Sequence, residues 1–229
     1  MIKVFGWQHI TYVVVSLLIT VGIVIAVKKY AKSEKLKTVI LQSVALFLFV
    51  AVLINRLAVV DNSNNWLNVI PSSFCGISSF VLAFSILLTK KDSAFMHFIV
   101  YIAFVGAVIT LAYPTFIAGA ASLFYPLSII TGLLHHSITL LLVVLVFATG
   151  YFKPDIKKWY AVILGLTCYM TYGLYLYDIL NKRALSIGES FEGIKGLTWF
   201  NVGLIYLAAY TLFIVCYTFF AKNRKNKIK

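Results

Sequence analysis

Residues 9–37 read HITYVVVSLLITVGIVIAVKKYAKSEKLK: nineteen residues from His9 to Val27 without an Asp, Glu, Lys or Arg, then Lys28, Lys29, Lys32, Lys35 and Lys37. At about 1.5 Å of rise per residue, nineteen helical residues reach about 28 Å, close to the ~30 Å hydrocarbon core of a bilayer. The alternation then repeats along the chain. Six further apolar segments follow, at 38–60, 71–89, 95–113, 127–148, 159–180 and 197–221, and 15 of the 20 Lys and Arg residues fall in four short stretches, 28–37, 90–91, 153–158 and 222–229. The fold class expected is all-α, a polytopic membrane protein of seven transmembrane helices.

Composition supports the same class. The chain is 62% hydrophobic and 12% charged, with mean hydropathy +0.95, whereas a soluble domain carries about 25% charged residues. The net charge of +13 is divided among loops rather than gathered on one surface, so nucleic acid is set aside as a partner and membrane lipids are expected instead. One side of the membrane receives 15 basic residues, against 4 on the other (Lys3, Lys182, Arg183 and Lys195), with Arg56 inside the second segment. The positive-inside rule then places the N-terminus outside and the C-terminus in the cytosol, in a plasma-membrane protein built as one domain over residues 1–229.

The first segment is too long for a signal-peptide core and no small-residue cleavage site follows it, so it is expected to stay as an anchor. Cys75, Cys168 and Cys216 all lie in apolar segments, without a CxxC pair or metal-ligand spacing. Neither a disulfide framework nor a metal is expected, and no cofactor. Asn181 to Gly196, with Gly188, Gly193, Gly196, Glu189 and Glu192, reads as a mobile extracytoplasmic cap.

In this orientation the buried polar residues are unevenly distributed in depth. His9, Asn55, Arg56, Ser72, Ser73, Cys75, Tyr113, His135, His136, Tyr175, Asp178 and Asn201 fall in the outer half, and His97 stands near the cytosolic face. Polar side chains in hydrocarbon are costly and face a bundle interior or a watery cavity, so an outward-opening pocket is expected. Each residue also has a plainer role. His9 near a helix end can face headgroup water, Arg56 can snorkel to lipid phosphate or pair with Asp178, and Asp178 beside Tyr175 and Tyr177 suits an interfacial belt. His97, close to Lys90 and Lys91, reads as interfacial.

His135 and His136 lie about nine residues into the fifth segment, roughly 13 Å from its start. Neighbouring helical residues point about 100° apart, so one is expected to act and the other to support. Pro71 suits a first helical turn, which puts Cys75 about one turn in, where backbone N–H groups and the helix dipole favour a thiolate. His135 enters from the same side at a similar depth. A cysteine at a helix N-terminus facing a histidine is one arrangement that activates a thiol.

Four stretches also carry a resemblance: Gln8-His9, Ile70-Pro71-Ser72-Ser73-Phe74-Cys75-Gly76-Ile77-Ser78, Gly106 with Tyr113-Pro114, and His135-His136-Ser137-Ile138. Together they resemble the YwaF-like family of bacterial seven-helix membrane proteins, which has a eukaryotic relative described as a cysteine-dependent phospholipid acyltransferase. Ser73, Thr115 and the stretch from Tyr175 to Asn181 depart from the family's pattern. The resemblance implies acyl transfer on membrane lipid, with Cys75 as nucleophile and His135 as proton carrier. His9, Arg56, Ser72, Ser73, Tyr113, His136 and Asp178 are then expected on the substrate side. The alternative is a non-catalytic transporter or lipid-binding protein using the same pocket, and a histidine-ligated metal or haem ranks third.

Overall fold

The computed structural model describes residues 1–182, 184, 185, 187 and 198–226, those at 199 and 220–226 as backbone only. The expected cap glycines and glutamates, the charges at Arg183 and Lys195, and the side chains of the basic tail lie outside the described residues. Among the described residues there are seven α-helices and no strand: α1 (Trp7–Tyr30), α2 (Glu34–Ser63), α3 (Phe74–Leu88), α4 (Met96–Ala112), α5 (Leu127–Ala148), α6 (Trp159–Asp178) and α7 (Trp199–Asn226). Six apolar spans are long enough to cross a membrane, and α3 is the exception.

The third helix was expected to fill 71–89, with Pro71 in its first turn. It starts later because Ser73 acts as N-cap, its side chain accepting from Gly76 N at 3.1 Å, the role for which serine is preferred. Pro71 and Ser72 stay outside the helix. The Tyr172 hydroxyl donates to Pro71 O at 2.8 Å, and Leu185 N donates to Ser72 O at 2.9 Å. Fifteen residues give α3 about 22 Å of length, short of a ~30 Å core, and α4 beside it has only 17 residues. The apolar span of α4 runs on through the turn at Thr115–Ile117 to 22 residues, so α3 alone is short, with a recess at its N-terminal end bordered by Ser73, Cys75 and Gly76.

Helices α2, α3, α4 and α5 pack together as the centre, with α1 against α5, α6 against α4, and α7 against α4 and α6. The apolar span of α5 is 72% buried, against 11% for α1. Exposed Val14, Leu18 and Ile25 on α1 therefore face outward, as lipid-facing residues do. The α4–α6–α7 contact is aromatic: Phe98 meets Tyr169 edge-on at 5.2 Å, and Tyr101 meets Tyr210 at 4.8 Å.

The basic loops converge on one end. Glu34 pairs with Lys37 at 2.7 Å and with Lys91 at 2.8 Å, and Asp92 pairs with Lys158 at 3.1 Å, joining the first, third and fifth connections. Burial tends to raise the Asp92 carboxyl, but the Lys158 ammonium, Lys153 N–H and His97 outweigh it and hold Asp92 below its ordinary range. His97 stands at this basic end, close to Lys90 and Lys91 in the chain, and is fully buried within the protein, with Nε2 at 3.0 Å from Asp92 Oδ1 and the Phe152 ring 4.6 Å away. At the opposite end Ile2 N donates to Ala120 O at 2.8 Å and Asn62 to Ser128 Oγ at 2.6 Å. The charge asymmetry of the sequence thus corresponds to the two ends of one bundle.

Candidate functional site

A cavity of about 220 Å³ opens in the recess above α3, lined by α2, α3, α4 and α5. Cys75, His135, His136, Arg56 and Ser73 all border it, with Asn55 and Thr110. A larger cleft of about 770 Å³ runs along α1, α2 and α5 and holds none of these groups. Chemistry needs converging polar groups, so the smaller cavity is the candidate site.

Cys75 is the second residue of α3. Its backbone is anchored: Ser78 and Ser79 hydroxyls both donate to Cys75 O, at 3.0 and 2.9 Å. The side chain is placed by α4, with Thr110 donating to Sγ at 3.2 Å and Sγ 3.5 Å from Gly106 O. A Cβ at Gly106 would stand 3.2 Å from that sulfur, so only glycine permits this approach without displacement.

His135 and His136 are both buried, at 3% and 5% exposure. His135 Nδ1 lies 3.0 Å from Thr131 O. A carbonyl can only accept, so Nδ1 carries the proton and the neutral ring presents an unprotonated Nε2. That atom is buried and has no hydrogen-bond partner among the described residues, as is also true of His136 Nδ1 and Arg56 Nε. Such groups are rare in folded proteins, and three of them converge on this one cavity. The expected divergence of the two rings is not found: their centroids are 4.0 Å apart and both border the cavity, because side-chain torsions swing the rings together although the Cβ directions differ.

Arg56 does not pair with Asp178 among the described residues. Its Nη2 donates to Asn55 Oδ1 at 2.6 Å, and Asn55 in turn donates to Ser128 O and Thr131 Oγ1, both at 3.0 Å. Asp178 is exposed at the end of α6. Thr139, one turn beyond His135, is 2.7 Å from His135 O and 2.8 Å from Ser79 Oγ, linking the histidine helix to the helix that carries Cys75.

The remaining expected residues are not brought together with this set. His9 Nδ1 accepts from Phe5 N at 3.1 Å, so Nε2–H donates to Leu111 O at 2.9 Å. Both nitrogens are spent, Nδ1 on the segment just before α1 and Nε2 on fastening α1 to α4. Ser72 lies in the segment before α3, and exposed Tyr113 stacks obliquely on Phe5 at 5.9 Å. Thr110 was missed by sequence reasoning. Its signal was the spacing Gly106-x-x-x-Thr110, a pair of small residues one turn apart on a close helix contact.

With this geometry described, comparison with known proteins adds one match: residues 4–221 fit the profile of the TMEM164 family. The chain belongs to the TMEM164 family. The match covers nearly all of its length, including every helix start named above, and with the long apolar helices it makes the chain a multi-pass membrane protein. No curated protein and no solved structure gives a significant match.

Proposed function

We propose that this TMEM164-family protein is a membrane acyltransferase that moves a fatty acyl chain between glycerolipids, or to another acceptor, through a thioester on Cys75. The observation that carries the reading is the shared cavity of Cys75 and His135, with the His135 Nε2 lone pair buried and without a partner among the described residues. In the first half-reaction Nε2 takes the thiol proton and the thiolate attacks the ester carbonyl carbon. The C–O bond then breaks and the leaving oxygen takes the proton back from Nε2. In the second half-reaction an acceptor hydroxyl gives its proton to Nε2 and attacks the thioester, and the departing sulfur is reprotonated. Backbone N–H groups in the first turn of α3 suit the developing oxyanion. The Ser73 hydroxyl accepts from Gly76 N and keeps its proton for donation. Arg56 suits a lipid phosphate.

The same reading gives one domain crossing the plasma membrane seven times, with the N-terminus outside and α3 as the short crossing. A cysteine placed at Ser33, in the first basic loop, is then shielded from an impermeant thiol reagent added to intact cells, and labelling there reverses the orientation.

The test of function is intact-mass measurement of purified protein incubated with phospholipids of defined chains. One acyl group should add to Cys75 and be removed by neutral hydroxylamine. Cys75→Ser should abolish the adduct, and His135→Ala should slow it by at least ~100-fold, the usual scale of positioned proton transfer. Absence of any adduct, with unchanged acyl-chain remodelling in cells carrying either variant, would leave lipid binding or transport as the role of the cavity.

A further inference from the structure

Thr110 stands out among the helical threonines. A helical threonine ordinarily gives its hydroxyl proton to the carbonyl four residues back, as Thr20, Thr131, Thr167 and Thr211 do here at 2.7 to 3.0 Å. For Thr110 that carbonyl is Gly106 O. Instead the Thr110 hydroxyl turns to Cys75 Sγ at 3.2 Å, and Sγ itself lies 3.5 Å from Gly106 O. The sulfur is inserted into the turn of α4 where the threonine's own bond would be. It faces a cavity that also receives Nε2 of His135, a residue 97% buried, and that atom has no hydrogen-bond partner among the described residues.

We propose that Thr110 is a positioning residue for Cys75: its hydroxyl fixes the sulfur toward the cavity and donates a hydrogen bond that favours the thiolate. The proposal rests on Cys75 being the nucleophile. The hydroxyl proton stays on Thr110 throughout, and the thiol proton leaves to His135 or to solvent. When the thiol ionises, Sγ loses its donor role toward Gly106 O and gains strength as an acceptor, so the Thr110 bond becomes charge-assisted. Such a bond raises the thiolate population about tenfold. Because nucleophilicity falls with basicity at a slope of about 0.4–0.5, the net gain in rate is about threefold.

The test uses the purified full chain in lipid nanodiscs with Cys168→Ser and Cys216→Ser, both exposed free thiols, so that Cys75 alone reacts. Alkylation by iodoacetamide is followed by intact mass near neutral pH, which requires no acyl-transfer activity. Thr110→Val keeps shape and removes the hydroxyl, while Thr110→Ser keeps the hydroxyl and removes a methyl. A hydrogen-bonding role predicts that the valine variant reacts about threefold more slowly and that the serine variant matches the parent. Equal rates for valine and parent, or serine slower than valine, overturn the proposal in favour of packing. If the valine variant does not fold, Thr110→Ala against Thr110→Ser carries the same comparison. Where acyl transfer is detected, Thr110→Val should lower kcat with KM unchanged. If no variant transfers an acyl group, the acyltransferase reading fails while the alkylation order still decides the role of Thr110.

Discussion

Gly106→Ala is the sharpest perturbation of the site, because it separates stability from chemistry. The added Cβ would stand 3.2 Å from Cys75 Sγ, 3.4 Å from its Cα and 3.6 Å from its Cβ. The sulfur can turn aside only by giving up Thr110, and the Cys75 backbone is held by two serine hydroxyls. Overpacking of this kind costs about 1–3 kcal/mol, whereas alanine in place of glycine within a helix returns about 1 kcal/mol. The net loss of stability should therefore be about 0–2 kcal/mol. The chemical loss should be larger: a shift of a few tenths of an ångström approaches the ~1 Å misplacement that costs about 100-fold, so at least about tenfold is expected. Unfolding in detergent and the rate of Cys75 acylation, measured on the same preparation, check both numbers. Parent-like acylation in Gly106→Ala would show that the close approach does not place the sulfur. A loss above about 4 kcal/mol would show that it governs the packing of the whole bundle instead.

Asn55→Ala removes two neutral interhelical bonds, at about 0.6 kcal/mol each within a membrane, and the charge-assisted bond from Arg56, at about 1.5–3 kcal/mol. A loss of about 3 kcal/mol in detergent unfolding is expected, and a loss under about 0.5 kcal/mol would contradict the pairing. Gly165→Ala places a methyl where the Phe98 ring lies and should cost about 2–3 kcal/mol; adding Phe98→Ala should cost less than the two single effects together. Asp92→Asn tests the basic end. The Asp92 carboxyl is held below its ordinary range, so its stabilising contribution is full above about pH 4 and is lost as pH falls through the lowered folded value. Because the side chain is 38% exposed, the contribution is at most about 1 kcal/mol. The gap in melting temperature between parent and variant should close on acidification, and a gap that widens instead would reverse the sign.

His9 and His135 show why some of the site was legible and some was not. Both are histidines in apolar segments, and the sequence separates them by distance from a helix end, with His9 at the start of its segment and His135 about nine residues in, but it does not show what each ring bonds to. The distinction lies in partners remote in the chain. Leu111 O consumes the proton of His9, while Thr131 O, one turn back on the same helix, leaves His135 Nε2 facing the cavity. The Cys75 region was legible because Pro71 and the rise in hydropathy after it place a helix start within a few residues of the observed one at Phe74. Its depth was misjudged because the N-cap is chosen by local hydrogen bonding and not by where hydropathy rises.

The amino-acid sequence by itself determined the class of protein, the order of its apolar segments and the gathering of basic residues at one end. Those properties follow from transfer free energies that add residue by residue along the chain and need no partner. The tertiary structure alone decided that α3 is short and buried, that Arg56 is held by Asn55, that the two histidine rings converge, and that Thr110 reaches the sulfur. These depend on helix contacts between residues far apart in sequence, such as Cys75 with Thr110 and Ser79 with Thr139. Hydrogen bonds act over about 3 Å, so a change of one turn in helix register removes them without altering hydropathy at all.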